Sequence, residues 1–254
     1  MLFPEPVFGP IHSRRLGASL GINLLPANAK VCSFECVYCE CGFATSHGEA
    51  RIPACDEIAR KLESKLRDLI DKKAPLDVIT FAGNGEPTLH PHFAEIIDDT
   101  LALRDRYFPD AKVTVLSNAT RAHKPDVRAA LLKIDNNVLK LDSAVQTTAE
   151  WINQPNSPDF DIAKIIDEIA LFDNAIVQTL FFSGNYNGHC IDNTTEAEIT
   201  AWIEALKTIR PREVMVYSLD RATPAHNLQK ASPETLTHIA ERARKAGFTV
   251  QLTL

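Results

Sequence analysis

Residues 78–117 read VITFAGNGEPTLHPHFAEIIDDTLALRDRYFPDAKVTVLS. The stretch opens on a short β-favouring run and breaks at Gly83-Asn84-Gly85. It starts a helix around His90-Pro91-His92 and returns to a β-rich run at 113–117. A strand, a sharp turn, a helix and another strand in that order make a right-handed βα crossover, which joins parallel strands. The pattern extends both ways. β-rich runs at 19–25, 138–142, 176–182 and 214–218 complete a set of six. Between them, apolar residues at three-and-four spacing mark helices at Ile58, Leu62, Leu66 and Leu69, at Ile162, Ile165, Ile166 and Ile169, and at Ile199, Trp202, Ile203 and Leu206. Thr195 and Glu198 stand in capping-box spacing, and Ser232-Pro233 is an N-cap and first-turn pair.

This order predicts an α/β protein with a parallel sheet, open and doubly wound or curled into a full or partial barrel. We expect a partial (β/α)6 barrel with its helices outside. Phe248, Val250, Leu252 and Leu254 alternate with polar residues, so a seventh strand is expected to be antiparallel or at an edge. No low-complexity linker or composition step divides the chain. A single domain over residues 1–254 is expected, with a core at about 8–221 and a C-terminal helix-strand extension at 222–254.

With 254 residues and 45% hydrophobic content, the chain can bury a sizeable core. The first ten residues carry no basic segment followed by an apolar run, and no stretch approaches the length of a membrane span, so a cytoplasmic protein with no membrane partner is expected. The formal charge of -6 offers no broad attraction to phosphate, which argues against a nucleic-acid partner and against tight, salt-sensitive tRNA binding.

Six cysteines would suit a disulfide framework in a shorter secreted chain, but three of them stand within eight residues. Cys32-Ser-Phe-Glu-Cys36-Val-Tyr-Cys39 follows the first strand of the set, with an aromatic residue beside the last thiol. A structural zinc site or an electron-carrying cluster wants four protein ligands and would have to recruit Cys41, Cys55 or Cys190. An iron-sulfur cluster on three thiolates leaves one iron open to the amino and carboxylate groups of a small molecule. At Gly83-Asn84-Gly85-Glu86-Pro87, glycines let the backbone approach a ligand and present carbonyls to an ammonium group, although a plain strand-to-helix turn has the same look.

Together the two motifs resemble the radical S-adenosylmethionine (SAM) superfamily, whose cysteine triplet is matched by Cys32, Cys36 and Cys39 and whose glycine turn is matched by Gly83 to Pro87. Asn84 within the glycine run resembles the branch of Fe-S oxidoreductases similar to wyosine-synthesis enzymes. Ser13-Arg14-Arg15-Leu16-Gly17, Leu141-Asp142 and Asp220-Arg221 resemble the same branch. The resemblance implies a partial barrel of the radical SAM type. It also implies a [4Fe-4S] cluster on Cys32, Cys36 and Cys39 and bound SAM, reduced by a one-electron donor such as flavodoxin or ferredoxin. SAM is then cleaved to a 5'-deoxyadenosyl radical that abstracts hydrogen from an unidentified small-molecule, peptide or nucleoside substrate. Gly83, Asn84, Gly85 and Glu86 are expected to hold the SAM amino group, Ser117 and Asn118 its methionyl or ribose end, and Asp142 or Ser143 the ribose hydroxyls.

In a parallel βα array the loops at the carboxyl ends of the strands form one active face, and every motif falls on such a loop. On the substrate side the candidates are Arg221, with Asp220 or Glu213 as an alternative ion-pair partner, and Tyr186 in the Gly/Asn-rich loop 183–188. Arg14 and Arg15 are weaker anion-binding candidates, His189 and Cys190 are possible substrate contacts, and Cys55 has no partner in view. Two alternatives stay open. One is a tRNA-guanosine-modifying activity, which the acidic balance, the lack of an N-terminal cysteine set for a second cluster and the short C-terminal extension oppose. The other is a non-catalytic zinc or Fe-S binding module. A glycyl-radical activating role is disfavoured by Lys140-Leu141-Asp142.

Overall fold

The computed structural model describes residues 2–13, 17–44 and 50–254. Arg14 and Arg15 lie outside the described residues. The chain divides into two compact units.

The first unit comprises Met1–Cys32, Ala44–Ser117 and Arg121–Asn137. It contains β1 (Val7–Ser13), β2 (Gly17–Ile22), α1 (Cys55–Asp71), β3 (Val78–Phe81), a 3-10 turn at Pro87–Leu89, α2 (Phe93–Tyr107), β4 (Lys112–Ser117) and α3 (Pro125–Lys133). The strand order is β1-β2-β3-β4, with β2, β3 and β4 parallel and β1 antiparallel to β2. Ile58, Leu62, Leu66 and Leu69 of α1 are buried, as their spacing predicts, and Phe93, Ile96 and Ile97 are buried on α2. β1 was not legible because Gly9-Pro10 interrupts its sequence. Proline is tolerated on this edge strand, where the register shifts between Phe8 and Ile11.

The second unit comprises Ser33–Phe43, Asn118–Thr120 and Val138–Leu254. It holds the end of β5 (Asn136–Lys140), then α4 (Gln146–Asn153), α5 (Ile162–Ile169), β6 (Ala175–Leu180), β7 (Phe182–Tyr186), β8 (His189–Asp192), α6 (Glu196–Ile209), β9 (Glu213–Tyr217), β10 (Leu228–Lys230), α7 (Pro233–Lys245) and β11 (Val250–Leu252). Its main strand order is β5-β6-β9-β11, and β10-β7-β8 form a small antiparallel sheet. Both helix starts read from sequence carry their caps: Thr195 Oγ1 accepts from the Glu198 N–H at 3.3 Å and Ser232 Oγ from the Thr235 N–H at 3.1 Å.

The last strand lies at an edge of the strand order, one of the two placements expected, and runs parallel to β9 because α7 intervenes and returns the chain in the same direction. One expectation needs correction. The loop 183–188 is mostly strand. Asn187 (φ +50°) and Gly188 (φ +81°) make the two-residue turn of a β7-β8 hairpin, and at Gly184 an added Cβ would lie 2.4 Å from the carbonyl oxygen of Asn227, just before β10.

Candidate functional site

The candidate residues fall into two groups, one in each unit. In the first, the glycine turn after β3 is locked against the residue that precedes Cys32. Val31 N–H donates to the Asn84 carbonyl at 2.9 Å, and Glu86 N–H donates to the Val31 carbonyl at 3.0 Å. A Cβ on Gly85, where φ is +139°, would sit 1.8 Å from the Val31 oxygen, so only glycine fits. Asn84 is fully buried and works as a tie: its side chain donates to the Phe3 and Pro26 carbonyls at 2.9 and 2.8 Å and accepts from the Phe3 N–H at 2.7 Å. Its backbone N–H donates to Asn23 Oδ1 at 3.0 Å. Asn84 therefore shapes the turn through the chain itself, and its amide is directed to the protein.

Glu86, 2% exposed, caps the 3-10 turn, and its Oε1 accepts from Thr88 N–H at 3.1 Å, Thr88 Oγ1 at 2.6 Å and Ser117 Oγ at 2.9 Å. Thus the structure brings Glu86 and Ser117, expected at two different ends of a ligand, onto one carboxylate. The carboxylate is fixed in place, which is the chemistry that receives an ammonium group.

In the second unit the cysteine loop is stitched to the C-terminal end of α4. Glu35 and Val37 N–H groups donate to the Asn153 and Ile152 carbonyls at 2.9 and 3.0 Å, and Asn156 N–H donates to the Ser33 carbonyl at 3.0 Å. Asn118 Nδ2 donates to Ser33 Oγ at 2.8 Å while its Oδ1 accepts from Thr120, so Asn118 anchors the start of the loop. The loop's position is therefore set by backbone bonds before any metal binds.

Behind Cys36 lies a polar network that the sequence did not announce. Tyr38 donates its hydroxyl hydrogen to Asp142 Oδ2, and Lys140 Nζ donates to the Tyr38 hydroxyl oxygen at 2.6 Å and sits 4.8 Å from the ring centroid. Asn153 Nδ2 donates to Asp142 Oδ2 at 2.8 Å and to Cys36 Sγ at 3.5 Å. Lys140 keeps 21% of its side chain exposed and Asp142 none, with 3.7 Å between the charged atoms. Burial pushes the Cys36 thiol up to about 11, with Lys140 and Asn153 pulling the other way. Burial, and then the Asp142 charge, hold the Tyr38 phenol well above its ordinary value. For Lys140, burial opposes the charge, but Asp142, Tyr217 and the cysteines outweigh it and raise the ammonium above the usual lysine range.

Asp142 and Ser143, expected at the ribose hydroxyls, make structural hydrogen bonds within the protein. Asp142 also accepts from the Leu180 N–H at 3.2 Å. Ser143, 1% exposed, donates to Glu198 Oε2 at 2.6 Å and accepts from the Val145 N–H at 2.9 Å. Both residues follow the C-terminal end of β5 and tie it to the surrounding protein. Both substrate-side candidates meet the cysteine loop. Arg221 is exposed and pairs with Glu40 rather than Asp220 or Glu213, lining a shallow cleft of about 460 Å³ with Thr223, His226 and Lys230. The Tyr186 ring packs 5.9 Å from that of Phe43. His189 stacks on Trp151 at 3.5 Å, and Cys190 is exposed.

The six cysteines, all among the described residues, form no disulfide. A family model described as the radical SAM superfamily matches residues 29–170, over half of the chain. The chain belongs to the radical SAM superfamily. This radical SAM chain is 34% identical over 170 residues to a UPF0026 protein of Helicobacter pylori, covering 66% of this chain and 52% of that one. It is 32% identical over 238 residues to the UPF0026 protein slr1464 of Synechocystis, covering 90% and 79%. The chain thus spans about half the length of the Helicobacter relative. Among solved structures, a radical SAM methyltransferase from Sphaerobacter thermophilus matches with a TM-score of 0.64 at 13% identity, over 92% of this chain and 65% of that one. Archaeal TYW1 matches with a TM-score of 0.55 at 13% identity, over 90% and 72%. At such identities the likeness is one of fold: the α/β, largely parallel, partial-barrel class that the sequence predicted.

Radical SAM proteins typically hold a [4Fe-4S] cluster and SAM, and the donor set of this chain fits the cluster. Cys36 is a buried thiol in no disulfide, with an N–H···S bond and a nearby ammonium to stabilise a metal-bound thiolate, on a loop fixed by backbone bonds. Glu86 fits the ammonium end of an amino acid.

Proposed function

We propose that this chain is a radical SAM enzyme in which Cys32, Cys36 and Cys39 hold a [4Fe-4S] cluster, the Gly83 turn and Glu86 receive SAM, and hydrogen is abstracted from a small-molecule, peptide or nucleoside substrate. When bound, these groups supply a one-electron reductive cleavage of the SAM carbon-sulfur bond, giving methionine and a radical that takes hydrogen from carbon. The observation that supports the reading is Cys36: a buried thiol on a fixed loop whose N–H···S bond from Asn153 and nearby Lys140 ammonium favour a thiolate, while burial and the Asp142 charge hold the proton on until a metal displaces it. Lys140 offsets the negative charge of such a ligand set, Asn153 orients the sulfur, and Glu86 fixes the amino end of the ligand. Arg221 and Tyr186, both touching the cysteine loop, are our candidates for contacts to substrate. Within the superfamily we place the chain beside the wyosine-synthesis-like branch on Gly83-Asn84-Gly85-Glu86-Pro87, and its acidic balance favours a substrate other than tRNA. Six cysteines without a disulfide suit a reducing cytoplasm, with flavodoxin or ferredoxin as electron donor.

The test is anaerobic reconstitution of wild type and six single Cys→Ala variants, then dithionite with SAM and an assay for 5'-deoxyadenosine. Wild type and the Cys41, Cys55 and Cys190 variants are expected to release it, and the Cys32, Cys36 and Cys39 variants to release none. A Cys41→Ala variant that loses its cluster, together with a wild type that makes no 5'-deoxyadenosine, would show a site with four protein ligands and overturn the reading.

A further inference from the structure

Cys55, which has no partner in the sequence, acquires two in the fold. It is the first residue of α1, while His92 and Glu95 stand at the N-cap and in the first turn of α2. One ligand atom from each of the three lies within 4.8 Å of the other two. A tetrahedral zinc with sulfur at about 2.3 Å and nitrogen and oxygen at about 2.0–2.1 Å needs those atoms at about 3.5 Å from one another, so a shift of roughly 1 Å closes the set. We propose that Cys55, His92 and Glu95 form a second metal site, for a divalent ion of borderline softness such as Zn²⁺, with water completing the coordination.

The donor chemistry is mixed in the way such an ion prefers: one sulfur, one imidazole nitrogen and one carboxylate oxygen. The scaffold is built before the ion arrives. His90 is buried, its Nδ1 accepts from the His92 N–H at 3.1 Å, and its Nε2 therefore donates to the Pro53 carbonyl at 3.0 Å. That one ring ties the segment leading into Cys55 to the segment carrying His92, and burial keeps it neutral by pulling its basicity down. His92 Nδ1 already faces Glu95 Oε2 at 3.3 Å, and each of these side chains is 61% exposed, so an ion can enter from solvent. The local field favours a cation. The carboxylates of Glu95, Asp99 and Asp56 all act on the Cys55 sulfur. A bound ion would offset that negative charge and hold the sulfur as a thiolate.

The experiment uses the full chain carrying Cys32→Ala, Cys36→Ala and Cys39→Ala, so that the triplet cannot bind the probe, titrated with Co²⁺ and then Zn²⁺. One equivalent of Co²⁺ is expected to give a thiolate-to-metal charge-transfer band that Zn²⁺ bleaches. Adding Cys55→Ala should abolish the band, and adding His92→Ala should weaken binding by about 100-fold or more, beyond the 10- to 100-fold cost of losing a supporting contact. No band, or a band that survives Cys55→Ala, overturns the site. If circular dichroism shows the triple variant unfolded, zinc is measured by competition with a chelator on the cluster-loaded wild type and on its His92→Ala variant, an exposed substitution. Equal affinities there overturn the proposal, and a 100-fold loss supports it.

Discussion

The cysteine loop and the glycine turn are both fixed in place, but by different means. The turn is held by backbone and one neutral side chain: the Val31 bridge, a glycine where no side chain fits, and the buried Asn84 amide. Its one charged group, Glu86, is satisfied by Thr88 and Ser117 hydroxyls. The cysteine loop has backbone ties too, yet the surroundings of Cys36 are set by charges from elsewhere, Lys140 on β5 and Asp142 just beyond it. A backbone device gives shape and tolerates changes of charge. A charge network gives electrostatic tuning and tolerates little, because each member left alone is a buried, uncompensated group.

The sharpest way to break this contrast is Asp142→Ala. It leaves the Lys140 ammonium and the Tyr38 hydroxyl without their buried acceptor, and a loss of about 3–5 kcal/mol in urea unfolding is expected. A loss below about 1 kcal/mol would show that the network contributes little. Gly85→Ala probes the other device. The clash with the Val31 carbonyl and the positive φ should cost about 3 kcal/mol, with no change in the pH dependence of stability.

Alkali should separate the two regions by a smaller effect. In the cluster-free chain the Cys36 thiol ionises at about 11 when folded against its ordinary 9.0. A group raised on folding keeps its full contribution below the lower value and loses it as pH climbs to the higher one. Stability should therefore fall by roughly 2–3 kcal/mol on account of Cys36 between pH of about 9 and about 11. Tyr38 and Lys140, also raised, pull the same way. Urea titrations across that range should show a shallower fall in Cys36→Ser, and an unchanged fall would remove Cys36 from the account.

The α1, α5 and α6 stripes, both N-caps and all six β runs were legible because each depends on a short periodic or adjacent pattern. The ends of the runs were less legible: 176–182 stops at Leu180 and restarts as β7, since Phe181 is buried and its N–H pairs with the Tyr217 carbonyl. The hairpin was signalled by Asn187-Gly188 but masked by the Gly and Asn content around it. Glu198 shows the limit of a local motif. Its backbone obeys the capping box, while its carboxylate takes hydrogen bonds from Ser143 and Thr148 at 2.6 and 2.7 Å.

By itself, the sequence determined the element order, the three soft donors at Cys32, Cys36 and Cys39, and the glycine-rich turn at Gly83 to Pro87. Those are properties of residue type and spacing, which the chain carries unfolded. Only the tertiary structure decided that Asn153, Lys140 and Asp142 would surround Cys36, that Arg221 would pair with Glu40, and that Cys55 would meet His92 and Glu95. These meetings depend on strand register and on how helix ends pack, where one residue of slip sends a side chain to the opposite face, and no spacing along the chain encodes that.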